Sequence, residues 1–429
     1  MKILKLITLS LILILVGCKK KGCTDPVATN YNQHAEQNDG SCEYESQFDN
    51  LIKGSITSDT TLTSDKIWTL EGRVSVVDGV TLTIEPGTII KAVAGTGSNA
   101  SCLIIARGGK INAEGNPNNP IIFTSVADNI QIGEYYGNSL DESLNGLWGG
   151  LLILGKAPIS VPFSPSQIEG IPASDPNGLY GGTETNDNSG ILSYVSIRHG
   201  GANIGEGNEI NGLTLGGVGN GTTISNIEIV ANQDDGIEFF GGTVNVSNIL
   251  IWSSGDDAID IDQGYGGSIT NSMVVMGLNS DHALEIDGPE GSNNQLSFTL
   301  SNITLLGSSD NCLPTGTGGE IAHFRAGALG VMNNILCKDF GIGSDVQLTD
   351  DSELTYVNGD LEFSNWEIKY PLDNNGNVCI GLPLSLLFSH NTNISNFSQD
   401  AENFSSVVDV PTVGVDETLF DWTYYGMKN

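Results

Sequence analysis

Basic residues are scarce in this chain: 17 Lys and Arg stand against 51 Asp and Glu over 429 residues, a formal net charge of −34. Neutralising phosphate needs a basic surface, so no nucleic-acid partner is expected, and docking on anionic lipid is disfavoured for the same reason. Cys-x-x-Cys, His-Glu-x-x-His, a phosphate loop and Gly-x-Ser-x-Gly are all missing, which removes the chemistries those motifs carry. From Ile52 onward no long segment repeats at 3.6 residues, so a helical core is excluded. What is abundant is glycine, 55 residues, alongside a hydrophobic share of 39%. That share is enough to build a core and argues against wholesale disorder.

Lys2 and Lys5 precede an apolar stretch, Leu6 to Val16, that ends in Leu15-Val16-Gly17-Cys18. About ten apolar residues are too few to span a bilayer and have the dimensions of an export signal. The last four residues resemble a bacterial lipobox. That resemblance implies a signal peptide over residues 1–17, lipidation of Cys18, and an outer-membrane lipoprotein held to the membrane through its lipid alone. Removing Lys2 and Lys5 leaves 15 basic residues against 51 acids, a net of −36.

Export to an oxidising compartment makes the other six cysteines candidates for disulfides. Cys23 and Cys42 bracket a segment that resembles a short cysteine-stapled module found after lipoboxes in secreted proteins of Gram-negative bacteria, here residues 18–48. A bridge closing about twenty residues contributes roughly 3 kcal/mol in the chain-entropy model, enough to order a segment with almost no core. Asp25, Asn30, Asn32 and Asp39 read as turn residues rather than calcium ligands. The pairing of Cys102, Cys312, Cys337 and Cys379 is left open by their spacing.

Over residues 49–429, short β-branched runs recur between Gly and Asn, as in Thr81-Leu82-Thr83-Ile84 and Cys102-Leu103-Ile104-Ile105. Three segments superimpose: Asp234-Asp235-Gly236-Ile237-Glu238-Phe239, Asp256-Asp257-Ala258-Ile259-Asp260-Ile261 and Asp281-His282-Ala283-Leu284-Glu285-Ile286, offset by 22 and 25 residues. A period of that length made only of short strands indicates a β-solenoid. Asn226, Asn248, Asn271, Asn302, Asn334 and Asn365 form a second register, spaced 22, 23, 31, 32 and 31 residues apart. One coil per spacing stacks these amides at about 4.8 Å, where each donates to its neighbour. Within a coil the expected order is acidic strand, Gly-Gly, second strand, Asn turn, third strand, loop.

That order resembles the right-handed parallel β-helix of the pectin-lyase-like families, over roughly residues 60 to 400. Thr81-Leu82-Thr83-Ile84-Glu85-Pro86-Gly87-Thr88, Ile111-Asn112-Ala113-Glu114-Gly115 and Trp148-Gly149-Gly150-Leu151 are closer still to a family of exported bacterial β-helix lipoproteins of poorly defined function. The fold expected is therefore all-β, a single-stranded solenoid behind a small stapled module. Phe420-Asp421-Trp422-Thr423-Tyr424-Tyr425 reads as an aromatic cap over its open end.

If Ile237, Phe239, Ile259, Ile261, Leu284 and Ile286 point inward, alternation turns Glu238, Asp260 and Glu285 outward in one column, with Phe240, Asp262 and Asp287 in the next. Aligning Glu320-Ile321-Ala322-His323-Phe324-Arg325 as the following coil adds His323 and Arg325. Carboxylates about 4.8 Å apart disfavour joint ionisation unless a cation or shared proton intervenes. Asp260, Asp262, Glu285 and Asp287 are the candidate calcium ligands, since calcium takes about six to eight oxygens.

Resemblance to calcium-dependent polysaccharide lyases implies His323 or Arg325 as a base in β-elimination, against a structural salt bridge of Arg325 with Asp287. Asp235-Gly236, Gly255-Asp256-Asp257 and His282 also follow the order of polygalacturonase-type hydrolases, but Ala326 and Gly327 after Arg325 break that family's Arg-x-Lys pair. Asp234, Asp235, Asp256 and Asp257 read mainly as acceptors for backbone N–H groups where loops become strands. Phe240, Trp252 and Tyr265 are candidates for sugar stacking, with packing under loops as the alternative. The function expected is a monomeric, non-catalytic scaffold that binds polysaccharide or another envelope component, with calcium on the acidic face. The alternative is a calcium-dependent uronic-acid lyase.

Overall fold

The computed structural model describes residues 19–429 apart from 25, 27, 29, 40, 42–47, 204–208, 292, 309–318, 342, 350, 374, 380–381 and 393. The chain divides into two compact units, residues 1–49 and 50–429. Cys18 lies outside the described residues. In the first unit two-residue strands, Lys21–Gly22 and Gln37–Asn38, pair in parallel. Cys23 is buried and disulfide-bonded; Cys42, its expected partner, lies outside the described residues. Asn32 and Asp39 spend their side-chain oxygens on the N–H groups of His34 and Ser41, 3.0 and 3.1 Å away, as turn residues do. No helix among the described residues is long and apolar enough to cross a membrane.

The second unit is a parallel β-helix. Among the described residues twenty-four strands wind through three ladders, each hydrogen-bonded to the strands one coil before and after except at the two ends, where only one neighbour is present. A representative coil runs from Ile237–Phe240 in the first ladder, through Val246–Trp252, to Ile259–Asp262 one coil on. Gly241 and Gly242 make the corner between them at φ 64° and 84°, where a Cβ would be strained. The long strand Val246–Trp252 bends at Asn248 and so serves both the second and the third ladder.

That bend is the asparagine register. All six asparagines adopt the left-handed conformation, φ between 52° and 58°, which Asn tolerates better than most residues. Asn248 donates to Asn226 at 3.0 Å, Asn302 to Asn271 at 3.1 Å, Asn334 to Asn302 at 2.9 Å and Asn365 to Asn334 at 2.6 Å. One coil earlier Tyr194 holds the same position at φ 51°, with Trp422 set edge-on against its ring at 5.3 Å. Ile237, Phe239, Ile259, Ile261, Leu284 and Ile286 all point inward and are at most 1% exposed.

Two expectations need correction. The segment around Phe420 does not close the end of the solenoid. Phe420 and Tyr424 lie along the outer face of the third ladder, on Val230, Leu250, Trp252, Met273 and Val275. The end is filled instead by the helices Leu384–Leu387 and Phe397–Phe404, whose Phe397 and Phe404 rings pack on Phe363 and Phe388. The physical reason is that the third strands are apolar on both faces, as in Ile249-Leu250-Ile251-Trp252, so their outer face requires a cover.

Cysteine usage is the second correction. Cys102 and Cys337 are free and buried, one under a loop and one inside the coil. Burial pushes the Cys102 thiol up to about 12, so both are packing residues. Cys379 is disulfide-bonded; Cys312 lies outside the described residues.

Candidate functional site

The first ladder places Glu238 opposite Asp260, Asp260 opposite Glu285 and Glu285 opposite His323; Phe240 pairs with Asp262 and Asp287 with Arg325. The columns expected from the repeats are therefore present. The local backbone adds a third column beside them. At the start of each strand two consecutive residues, Ala258-Ile259 and Ala283-Leu284, both point into the core. A Cβ on Gly236 would fall 2.5 Å from the interior side chain of Ile251. This break in alternation turns the preceding residues, Asp235, Asp257 and His282, to the same side as Glu238, Asp260 and Glu285.

The result is a pocket of about 230 Å³ lined by nine carboxylates, those of Glu169, Glu209, Asp234, Asp235, Glu238, Asp256, Asp257, Asp260 and Glu285. Among the described residues no basic side chain lines it. Ligand oxygens of Asp235, Glu238 and Asp260 lie within 4.8 Å of one another, as do those of Asp234, Asp235 and Asp256. Burial, then the charges of Glu238 and Asp262, push the Asp260 carboxyl well above the usual carboxylate range. Burial followed by Asp260 does the same to Asp235, and burial followed by Asp235 to Glu238. Burial and Asp256 raise Asp234 to about 7.

Hydrogen bonding does not relieve this crowding. Asp260 has no hydrogen-bond partner among the described residues. Asn211 donates to Glu238, but its own buried Oδ1 has no partner. Asp235 and Asp257 do accept backbone N–H groups, those of Asp257 and His282, at 3.0 and 2.8 Å. The turn role expected for them is thus real and uses one oxygen of each, while the same side chains also line the pocket.

The four expected calcium ligands do not meet as one set. Asp260 and Glu285 line the pocket, whereas Asp262 accepts from the N–H of Gln263 at 2.8 Å. Burial, then the neighbouring Glu290 charge, raise Asp262 to about 7. Asp287 is bound to Arg325, with Nε at 2.5 Å from Oδ1 and Nη2 at 3.2 Å from Oδ2, while Nη1 reaches Glu285 Oε1 at 2.8 Å. Arg325 is therefore clamped between two carboxylates.

His323 stands 4.0 Å from Glu285, and burial, then the charges of His282 and Arg325, lower its pKa. Burial opposes protonation of His282, but its hydrogen bonds to Asp257 and Glu320 outweigh that and raise it to about 10.

The stacking candidates separate. Tyr265 is interior, its hydroxyl donating to the Val244 carbonyl at 2.6 Å. Trp252 lies under Tyr424 and Tyr425. Phe240 lines the pocket but is 5% exposed beneath Tyr180. No shared platform results, because each ring is covered by a different segment.

Sequence reasoning missed Glu169, Glu209 and Asn211. Asn211 had a signal: Asn211-Gly212-Leu213-Thr214-Leu215 repeats the pattern of Asp235-Gly236-Ile237-Glu238-Phe239 one coil earlier, and the register pairs Thr214 with Glu238. Glu169 and Glu209 come from excursions between strands, which carry no repeat.

These features define a parallel β-helix protein with an acid-lined strand face. The chain belongs to the family described as "pectate-lyase like beta helix domain", whose model matches residues 54–403. No curated protein and no solved structure matches it.

Proposed function

We propose that this chain is an envelope-anchored lipoprotein whose β-helix binds polysaccharide or another cell-surface component without cleaving it, holding calcium in the carboxylate pocket. The observation that carries this reading is the pocket of nine carboxylates with no basic lining residue among those described. A dication lets these acids ionise together, and calcium suits an all-oxygen set at about 2.3–2.6 Å. The unpartnered Asn211 Oδ1 supplies a neutral oxygen of the kind such ions accept. Uronic-acid carboxylates are the glycan groups that a partly coordinated calcium would bridge, in keeping with a pectate-lyase-like family.

Non-catalytic binding is favoured over β-elimination because Arg325, one of the two expected bases beside His323, is held by Glu285 and Asp287. Calcium at about 100 times its Kd is expected to stabilise the fold by roughly 2.7 kcal/mol, read as a raised thermal midpoint against EDTA. An unchanged midpoint removes the calcium site. Incubation with pectate and alginate is expected to give calcium-dependent retention without unsaturated product. Product formation abolished by EDTA and by Arg325→Ala or His323→Ala would establish the lyase instead.

A further inference from the structure

Beside the carboxylate pocket, two imidazoles converge on one carboxylate. His282 and Glu285 belong to the strand His282–Asp287, and both face out because Ala283 and Leu284 both turn inward. His323, on the next coil, is in register with Glu285. One ligand atom from each of His282, Glu285 and His323 lies within 4.8 Å of the other two, and the imidazole centroids are 5.4 Å apart. The Nε2 of His323 is buried and has no hydrogen-bond partner. In the interior such a nitrogen costs free energy unless something binds it.

We propose that His282, His323 and Glu285 form a site for a transition-metal dication of the zinc class, separate in chemistry from the calcium pocket. Two imidazoles and one carboxylate are a nitrogen-rich set that calcium does not favour and zinc, cobalt or nickel does. The surroundings are built accordingly. Nδ1 of His282 is 2.8 Å from Asp257 Oδ1, which leaves Nε2 directed away from Asp257. A carboxylate behind an imidazole is the arrangement that fixes the ring of a metal ligand. Glu320 Oε2 lies 3.6 Å from His282 Nε2, a further carboxylate beside the three ligands. Bond lengths of about 2.0–2.1 Å require the ligands to close in from their present spacing, which side-chain rotation on adjacent strands supplies. Arg325, 2.8 Å from Glu285 Oε1, orients that carboxylate.

The proposal does not rest on the calcium reading: Glu285 and Asp257 border both sites, but His282 and His323 belong to this one and Asp260 to the calcium pocket, so the two are told apart by those residues. The full mature chain, carrying no affinity tag and stripped with chelator, is titrated with Co²⁺ by absorbance and with Zn²⁺ by calorimetry. The expected result is one equivalent of Co²⁺ with the strong visible absorption of a four-coordinate ion, displaced by Zn²⁺ and unaffected by millimolar calcium. His323→Ala is expected to weaken binding at least about 100-fold, and Asp257→Asn about 10- to 100-fold. Asp260→Asn, which removes a charge beside Glu285 but no proposed ligand, is expected to change Co²⁺ binding by less than about 10-fold. Thermal midpoints in chelator, expected to match wild type for His323→Ala, separate lost ligation from lost folding. Should His323→Ala misfold, His323→Gln is measured in its place.

Wild-type protein that takes up neither ion below about 1 mM would overturn the proposal. So would equal affinity in the folded His323 variant, or binding lost in Asp260→Asn while His323→Ala retains it.

Discussion

The first and third ladders of the solenoid both carry carboxylates on their outer faces, under opposite circumstances. On the third ladder Glu228 is fully buried, yet every oxygen is occupied: Ser196 Oγ donates at 2.5 Å, Arg198 Nη2 lies at 3.3 Å, and the N–H of Tyr425 donates at 3.0 Å. On the first ladder Asp260 has like charges for neighbours, and the acceptor of Asn211 is left over. A buried carboxylate with a full set of donors is structure, because its desolvation is compensated within the chain. Carboxylates gathered without donors stay ionised together only when something else supplies the positive charge, and that asymmetry points to the first ladder as the binding face.

The most disruptive way to test the comparison is Glu228→Ala. It leaves Arg198 buried without its carboxylate and frees the N–H that holds the C-terminal segment, so about 3–5 kcal/mol of stability should be lost in denaturant unfolding. A loss below about 1 kcal/mol would mean that the third face is not held together by this network.

Next in size is the asparagine ladder, at the bend between the second and third ladders. Asn334 accepts from Asn365 and donates to Asn302, and it sits at φ 57°. Asn334→Ala removes two hydrogen bonds of about 1 kcal/mol each and places a Cβ residue without local bonding in the left-handed region, a further cost of about 1 kcal/mol. Asn365→Ala removes only one ladder bond and should cost correspondingly less. Equal losses at the two positions would show that the ladder bonds do not contribute independently.

Much of this was legible in the sequence because a solenoid writes its register into the chain. The offsets between Asp234, Asp256 and Asp281 placed Glu238, Asp260 and Glu285 in one column, and the Asn spacings placed the bend. What misled was strict period-2 alternation. Applied from Ile237 outward, it left Asp235, Asp257 and His282 outside the column, with Asp235 and Asp257 read mainly as acceptors for backbone N–H groups. The small residues between them, Gly236, Ala258 and Ala283, were the overlooked sign that the chain turns a corner there with two consecutive residues inside. Glu169 and Glu209 could not be reached by any periodic argument, since their positions follow from how excursions fold back. The tether of Arg325 to Glu285 and Asp287 depended on side-chain conformation, which spacing does not encode.

A smaller effect is the pH response of the first face when metal is removed. Asp234 is raised to about 7 and Glu285 to about 8, Glu285 by burial and then Asp257. Between the usual carboxylate range near 4 and those values, the folded chain holds protons that the unfolded chain has released. Stability in EDTA should therefore fall as pH rises from about 5 to about 8, and calcium should restore more of it at the upper end. Thermal midpoints at both pH values, with and without calcium, check this. A midpoint that rises with pH in EDTA would contradict the crowding.

The smallest expected change has the opposite sign to Glu228→Ala. Asp260→Asn keeps the shape of the side chain and removes one of several like charges spaced about 4.8 Å apart, an interaction of about 1 kcal/mol at solvent-like screening. In EDTA at pH 8 the variant should be as stable as wild type or more stable by up to that amount. In calcium the order should reverse, because wild type gains ion binding that the variant has lost. A crossing of the two stabilities with calcium assigns the carboxylates to a ligand. Parallel destabilisation in both conditions would instead assign Asp260 to the same structural class as Glu228.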